Sequence, residues 1–167
     1  INLGQYLSDC SPNSDLVVTH TLTQSANGIH LAAALPVGNY PVFLTATDVC
    51  GNLRRDTFVI SAIDNSVPTV ICKPGVVNVL LDASGMATLT PDMVNDGSSD
   101  NCGNIVLAVS SPAGNTSGVN TLFDCTDLGN QTYTLTVSDS VVPANTATCT
   151  GTVKITDNLA PIVNCPT

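Results

Sequence analysis

A stretch with Asp-Asn, Pro and Cys at nearly fixed spacing occurs twice in the chain, and it limits the fold more than any other feature of the sequence. The two copies are "IDNSVPTVICKP" (63–74) and "TDNLAPIVNCPT" (156–167). Asp157 follows Asp64 by 93 positions. A period of this length is too long for a solenoid repeat that depends on its neighbours, and it suits a small domain that folds by itself. The sequence therefore predicts similar small domains in series.

The similarity extends to earlier parts of both copies. The stretch "VGNYPVFLTATD" (37–48) matches "LGNQTYTLTVSD" (128–139), so the repeated unit is about 90 residues long. A second hypothesis for the tail 161–167 is that it completes the sheet of another copy by strand addition. The predicted division is a repeat that lacks its first strands (1–65), a complete repeat (66–158) and the first strand of a following repeat (159–167).

Composition and periodicity both predict an all-β protein. Thr and Val, which favour strands, are abundant, whereas Glu is absent and only 4 residues are Lys or Arg, so the usual surface residues of helices are scarce. Apolar residues and Thr alternate in "TYTLTVS" and "TCTGTVKI", as in half-buried antiparallel strands. We expect tandem immunoglobulin-like antiparallel β-sandwich domains of about 90 residues each. The predicted strands of the complete repeat are 69–72, 76–81, 86–90, 104–110, 120–124, 132–138 and 148–155, with irregular loops at 91–103 and 110–118.

Charge, hydropathy and cysteine content restrict the cellular setting. The formal net charge is −9 and the sequence pI is about 4.1, so a nucleic-acid backbone would be repelled. No apolar segment approaches the ~18 residues that a membrane span needs, so we expect no membrane insertion. The chain has 7 Cys but no C-x-x-C spacing, which favours disulfides in an extracellular or cell-surface protein over a zinc site.

The cysteines suggest particular bridges. Four of them lie in the complete repeat, which allows three pairings. The first and last strands of such sandwiches are often neighbours, and this favours a bridge between Cys72 and Cys149. Cys165 has no evident partner within the chain. The predicted pairs are Cys72–Cys149, Cys102–Cys125 and, in the first repeat, Cys10–Cys50.

Several of these stretches together resemble a known family. "TDVCGN" (47–52), "SSDNCGN" (98–104) and "TCTGTVKITDNLAPIVNCPT" (148–167) are similar to the HYR-like, immunoglobulin-like repeats of very large bacterial surface adhesins. The closest likeness is to repeat-built adhesins of gliding bacteria that use type IX secretion. The resemblance implies tandem sandwiches displayed on the cell surface as a stalk, filament or adhesive fibre, with no catalytic residues. The chain departs from the family in its longer segment 138–148, and its first repeat lacks counterparts of Cys125 and Cys149.

Acidic residues near the predicted junction suggest a calcium site. Asp64 precedes the junction, while Asp96, Asp100 and Asp139 lie in loops that would face it in a tandem sandwich. Carboxylate, amide and carbonyl oxygens are the ligands that Ca²⁺ takes. The alternative is that these Asp side chains cap turns, as they commonly do. No loop of the EF-hand pattern is present to support this site. The sequence suggests no cofactor other than Ca²⁺.

Three triplets match glycosylation acceptors. Asn115 and Asn130 begin Asn-x-Ser/Thr sequences. Ser140, within Asp-Ser-Val, resembles the O-glycosylation motif of the bacteria that make such adhesins. Triplets this short also match by chance.

The sequence has few features that would indicate an enzyme. There is no G-x-S-x-G elbow, and the two histidines, His20 and His30, lie on or near predicted strands. We therefore expect a non-enzymatic stalk or fibre module whose partners are neighbouring repeats of the same or an identical chain. The alternatives are a module that binds surface glycans or proteins, or an accessory domain of a secreted enzyme.

Overall fold

The structure is a computed structural model that describes residues 17–22, 34–140 and 144–161. The chain divides into two compact units, Ile1–Asp64 and Asn65–Thr167, called unit 1 and unit 2 below. Ten strands and a single helical turn make up the regular structure of the described residues, which confirms the all-β class. No helix in these ranges is long and apolar enough to cross a membrane.

The described part of unit 1 is one antiparallel sheet in the order β1-β2-β3. Its strands are β1 (Val17–His20), β2 (Gly38–Thr47) and β3 (Leu53–Ala62). Val42 on β2 is fully buried and lies opposite Phe58 on β3. Val18 on β1 packs in the same cluster, so side chains of all three strands share one face, as alternating sequences require.

Unit 2 consists of two sheets. One has the order β4-β10-β9-β6, with β4 parallel to β10 and the other pairs antiparallel; the second has the order β5-β8-β7. A single-turn helix follows β5 because Pro91 is favoured at the first helical position. The elements are β4 (Val76–Leu80), β5 (Met86–Leu89), α1 (Pro91–Val94), β6 (Ile105–Ser110), β7 (Asn115–Ser117), β8 (Asn120–Asp124), β9 (Gly129–Asp139) and β10 (Thr146–Thr156).

The two sheets of unit 2 pack face to face. Tyr133, Leu135 and Val137 alternate along β9 and are fully buried, and they join Leu89 and Phe123 from the other sheet in one core. Burial of each such side chain contributes about 1.5–3 kcal/mol. The predicted immunoglobulin-like sandwich is therefore confirmed, whereas its repetition about every 90 residues stays a prediction.

Two predicted elements of unit 2 differ in the structure. The segment 69–72 makes only isolated bridges, Thr69 with Ser99 and Cys72 with Asn95, rather than a continuous strand. The predicted loop 110–118 contains the short strand β7, all three residues of which are exposed. A strand without a buried face has no alternation, so its sequence gave no period to detect.

Strand register defines two opposite ends of unit 2. Ile105 lies opposite Asp139, so the start of β6 and the β9–β10 turn share one end, here called the leading end. Ile155 lies opposite Gly129, so β10 finishes at the other, trailing end. The 11 residues of β9 separate the ends, and ten steps along a strand span about 33 Å. The chain enters at the leading end, through the segment bridged to Ser99, and leaves from the trailing end.

Candidate functional site

The bridge between Cys72 and Cys149 is present and joins the first segment of unit 2 to its last strand. The Cα atoms are 5.9 Å apart, and the sequence separation is 77 residues. Both cysteines are partly buried and pack against the core. The predicted pairing is confirmed. The bridge can form because the chain enters unit 2 beside β10.

The predicted Cys102–Cys125 bridge is wrong, because the two residues lie at opposite ends of unit 2. Cys102 belongs to the turn before β6 at the leading end, where Asn101 Nδ2 lies 3.2 Å from its Sγ. Cys125 follows β8 at the trailing end, with its Sγ 3.7 Å from the carbonyl oxygen of Gly85. Disulfides need Cα atoms within about 7 Å, far less than the length of β9.

The remaining cysteines are only partly described. Cys50 is exposed in the turn between β2 and β3. Cys10 and Cys165 lie outside the described residues, so the Cys10–Cys50 bridge stays a prediction.

Asp139 has a structural partner that the sequence did not reveal. It is 4% exposed at the end of β9. Its carboxylate accepts hydrogen bonds from the backbone N–H of Asn145 at 3.0 Å and from Asn145 Nδ2 at 2.8 Å. The backbone N–H of Asp139 also donates to the Asn145 carbonyl at 3.0 Å. The Asp139 side chain therefore closes the β9–β10 turn, and Asn145 is the residue that the motif search missed.

Asp100 is the most unusual of the predicted metal ligands. Its Oδ1 accepts a hydrogen bond from the backbone N–H of Cys102 at 2.9 Å, whereas its Oδ2 is buried without a hydrogen-bond partner. A cavity of about 240 Å³ at the leading end is lined by Val67, Thr69, Ser99, Asp100 and Asn101.

The structure does not gather the predicted ligands into a cluster. Asp96 is exposed, and its backbone N–H donates to the carbonyl of Ile71 at 2.9 Å. Asp64 is the last residue of unit 1 and is half-buried. Among the residues that the structure describes, no three His, Cys, Asp or Glu side chains lie close enough together to hold a metal ion.

Three other Asp side chains, which were not among the predicted ligands, organise tight turns. Asp48 accepts from Asn52 Nδ2 at 2.7 Å, which is the main cause of its lowered pKa. Hydrogen bonds from the Ser84 hydroxyl and from backbone N–H groups lower the pKa of Asp82. The pKa of Asp124 is lowered chiefly by the Thr126 hydroxyl. All three carboxylates stabilise turns in their charged form.

The predicted glycosylation sites all lie on the surface. Asn115 is exposed on β7, and Asn130 is exposed on β9 opposite Lys154. Ser140 is exposed immediately after the buried Asp139. Each position is accessible to a modifying enzyme, and its modification stays a prediction.

Strand order and disulfide together define the class: unit 2 is a disulfide-bonded β-sandwich of immunoglobulin-like topology. No family model matches the chain, and no curated protein matches it. The chain is therefore not assigned to a family, and its membership in the HYR-like repeats stays a hypothesis.

Several solved structures have a similar arrangement of strands. Human mucin-like protocadherin EC1-2 is 17% identical over 86% of this chain and 85% of that chain, with a TM-score of 0.42. The protocadherin gammaB7 EC3-6 cis-dimer structure is 15% identical over 86% of this chain and 40% of that one, with a TM-score of 0.39. At such values the likeness adds nothing to what the strand order already shows.

Proposed function

We propose that the chain is a non-enzymatic extracellular module, and that its units are strung end to end in the stalk or fibre of a cell-surface adhesin. The observation that carries the proposal is the path of the chain through unit 2. The polypeptide enters at the leading end and leaves from the trailing end, about 33 Å away along β9. Units connected in this way add their lengths without the chain having to cross back.

The repeated junction supports the same arrangement. Pro68 is buried where the chain enters unit 2. At the exit, Asp157 Oδ1 accepts from the backbone N–H of Leu159 at 2.9 Å, which forms a turn before Pro161. Proline restricts the backbone in both copies of the junction.

The disulfide supports an extracellular location. Such bridges form and persist in oxidising compartments, among which are the cell surface and the extracellular space. A sandwich with few aromatic residues also gains more from a covalent crosslink than one with a larger core. Both arguments agree with the surface display that the HYR-like resemblance implies.

The proposal is tested by the shape and the binding behaviour of the full chain. End-to-end units predict an elongated particle in small-angle X-ray scattering, and a stalk predicts no saturable binding on a glycan array. A compact particle would contradict the series arrangement. Saturable binding of one glycan class would instead favour the ligand-binding alternative.

We also propose a Ca²⁺ site at the leading end of unit 2, supported by the unpartnered Oδ2 of Asp100 and its adjacent cavity. A hard cation is a suitable partner for a buried carboxylate oxygen. Calcium added after chelation should raise the melting temperature of the native chain but not that of Asp100→Asn. Asp92→Asn, which changes an exposed carboxylate on α1, should respond like the native chain. Absence of both titration heat and melting shift in the native chain would exclude the site.

A further inference from the structure

We infer that the Cys72–Cys149 disulfide is a mechanical lock that keeps most of unit 2 from extending under tension. The biological use of this lock rests on the proposed stalk function, because only a load-bearing module is pulled by its ends. The mechanical property itself belongs to the chain and can be measured without any adhesion assay.

The covalent path through unit 2 is short. A load applied between residues 65 and 158 passes along 65–72, crosses the disulfide, and continues along 149–158. The bridge closes a loop with a sequence separation of 77. Residues 65 and 158 are 93 steps apart, so 93 − 77 leaves only 16 steps outside the loop.

Weaker interactions hold the segments outside the loop. Thr69 and Ser99 exchange backbone hydrogen bonds of 2.8 and 2.9 Å, and they fix the incoming segment to the leading end. Residues 152–155 of β10 pair with both β4 and β9. If tension opens all of these contacts, 16 steps release at most about 58 Å of chain, whereas 93 steps would release about 330 Å.

The loop that the bridge closes contains some residues of the core and leaves others outside. Leu89, Phe123 and Tyr133 lie inside the closed loop, whereas Val153 and Ile155 on β10 lie outside it. Tension that peels the end of β10 removes these two side chains from the core but cannot draw out the loop. The lock therefore limits the length of an overloaded unit, and it leaves the peeled strand close to its original partners.

Single-molecule force spectroscopy on the full chain, held through handles at both termini, tests the inference. The double variant Cys72→Ser/Cys149→Ser should gain more contour length on unfolding than the native chain by about 280 Å, the length of 77 steps. The matched control Cys125→Ser changes an exposed cysteine outside the bridge and should behave like the native chain.

A second measurement covers the case in which the double variant does not fold. A Cys50→Ser chain, which cannot form the predicted Cys10–Cys50 bridge, is folded first and then reduced in the instrument with a dithiol, which is oxidised to its cyclic disulfide while Cys72 and Cys149 become thiols. The same additional length should appear. Equal contour lengths with and without the bridge would overturn the lock. This result is independent of the scattering and glycan-array outcomes that test the stalk function.

Discussion

At the scale of single residues, Tyr133 packs directly against Gly151 in the core of unit 2. They are cross-strand partners on β9 and β10, and the Tyr133 side chain is fully buried. A Cβ added to Gly151 would lie 2.5 Å from Cζ of the ring. Any residue with a Cβ atom at this position would overlap the Tyr133 ring, so glycine is required there. In unit 1, Val42 on β2 lies opposite Phe58 on β3, so the larger residue of that pair is on the later strand. In unit 2 the larger residue of the pair, Tyr133, is on the earlier strand.

Gly151→Ala should destabilise unit 2 by about 1–3 kcal/mol, because an overpacked core must move the ring or the backbone. Urea unfolding of the full chain measures the loss. Thr150→Ala changes the exposed neighbour and should cost less. In a Tyr133→Leu background the Gly151→Ala cost should fall, and an unchanged cost would contradict the proposed contact.

Burial raises the pKa of Tyr133 above its ordinary value of 10.0. The neutral phenol is therefore favoured in the folded state, and this stability is present below pH 10 and lost as the pH rises through the folded pKa. Its hydroxyl has no hydrogen-bond partner. Tyr133→Phe should keep or increase stability at neutral pH and should move base-induced unfolding to higher pH. A Tyr133→Phe chain that unfolds at a lower pH than the native chain would contradict this account. The control is Tyr40→Phe, which removes the hydrogen bond to the Pro36 carbonyl oxygen.

At the scale of elements, the turns depend on ionised carboxylates. Asp82 accepts from the backbone N–H groups of Ser84 and Met86 at 2.8 and 3.1 Å, and it connects β4 to β5. Because its pKa is lowered from 3.8, its stabilising effect is present above that value and is lost as the pH falls through the folded pKa.

Asp82→Ala should therefore be less stable than the native chain at neutral pH, and the difference should shrink below pH 3.8. Urea unfolding across this range measures the two stabilities. Asp92→Ala provides an exposed carboxylate on α1 as a control. A difference that stays constant with pH would show that the ionised group is not responsible.

Alternation in the sequence predicted the central strands well, because burial on one face imposes a period of two. It succeeded for β9 and β10 and failed for β7, which has no buried residue. The Cys72–Cys149 bridge followed from the adjacency of first and last strands. The Cys102–Cys125 pairing failed because it was reached by elimination, without a test of which end each residue occupies. Loop contacts such as Asp139 with Asn145 depend on the folded turn and have no local pattern.

At the scale of the whole molecule, the disulfide should contribute substantially to the stability of unit 2. A closed loop with a sequence separation of 77 restricts the unfolded chain and is worth about 4 kcal/mol in the chain-entropy description. Cys72→Ser/Cys149→Ser should therefore lose about that amount in urea unfolding, whereas Cys125→Ser should lose little. Equal losses in the two variants would show that the bridge is not the cause.

The lengths of the strands in unit 2 also affect how readily neighbouring molecules pair with each other through their sheet edges. The strands at the sheet edges, β4, β5, β6 and β7, have 5, 4, 6 and 3 residues, whereas the interior strands β9 and β10 have 11 each. Short edges offer few unsatisfied backbone groups to a foreign strand. An edge strand of 3 to 6 residues in unit 2 can therefore form only a few backbone hydrogen bonds with a strand of a neighbouring molecule.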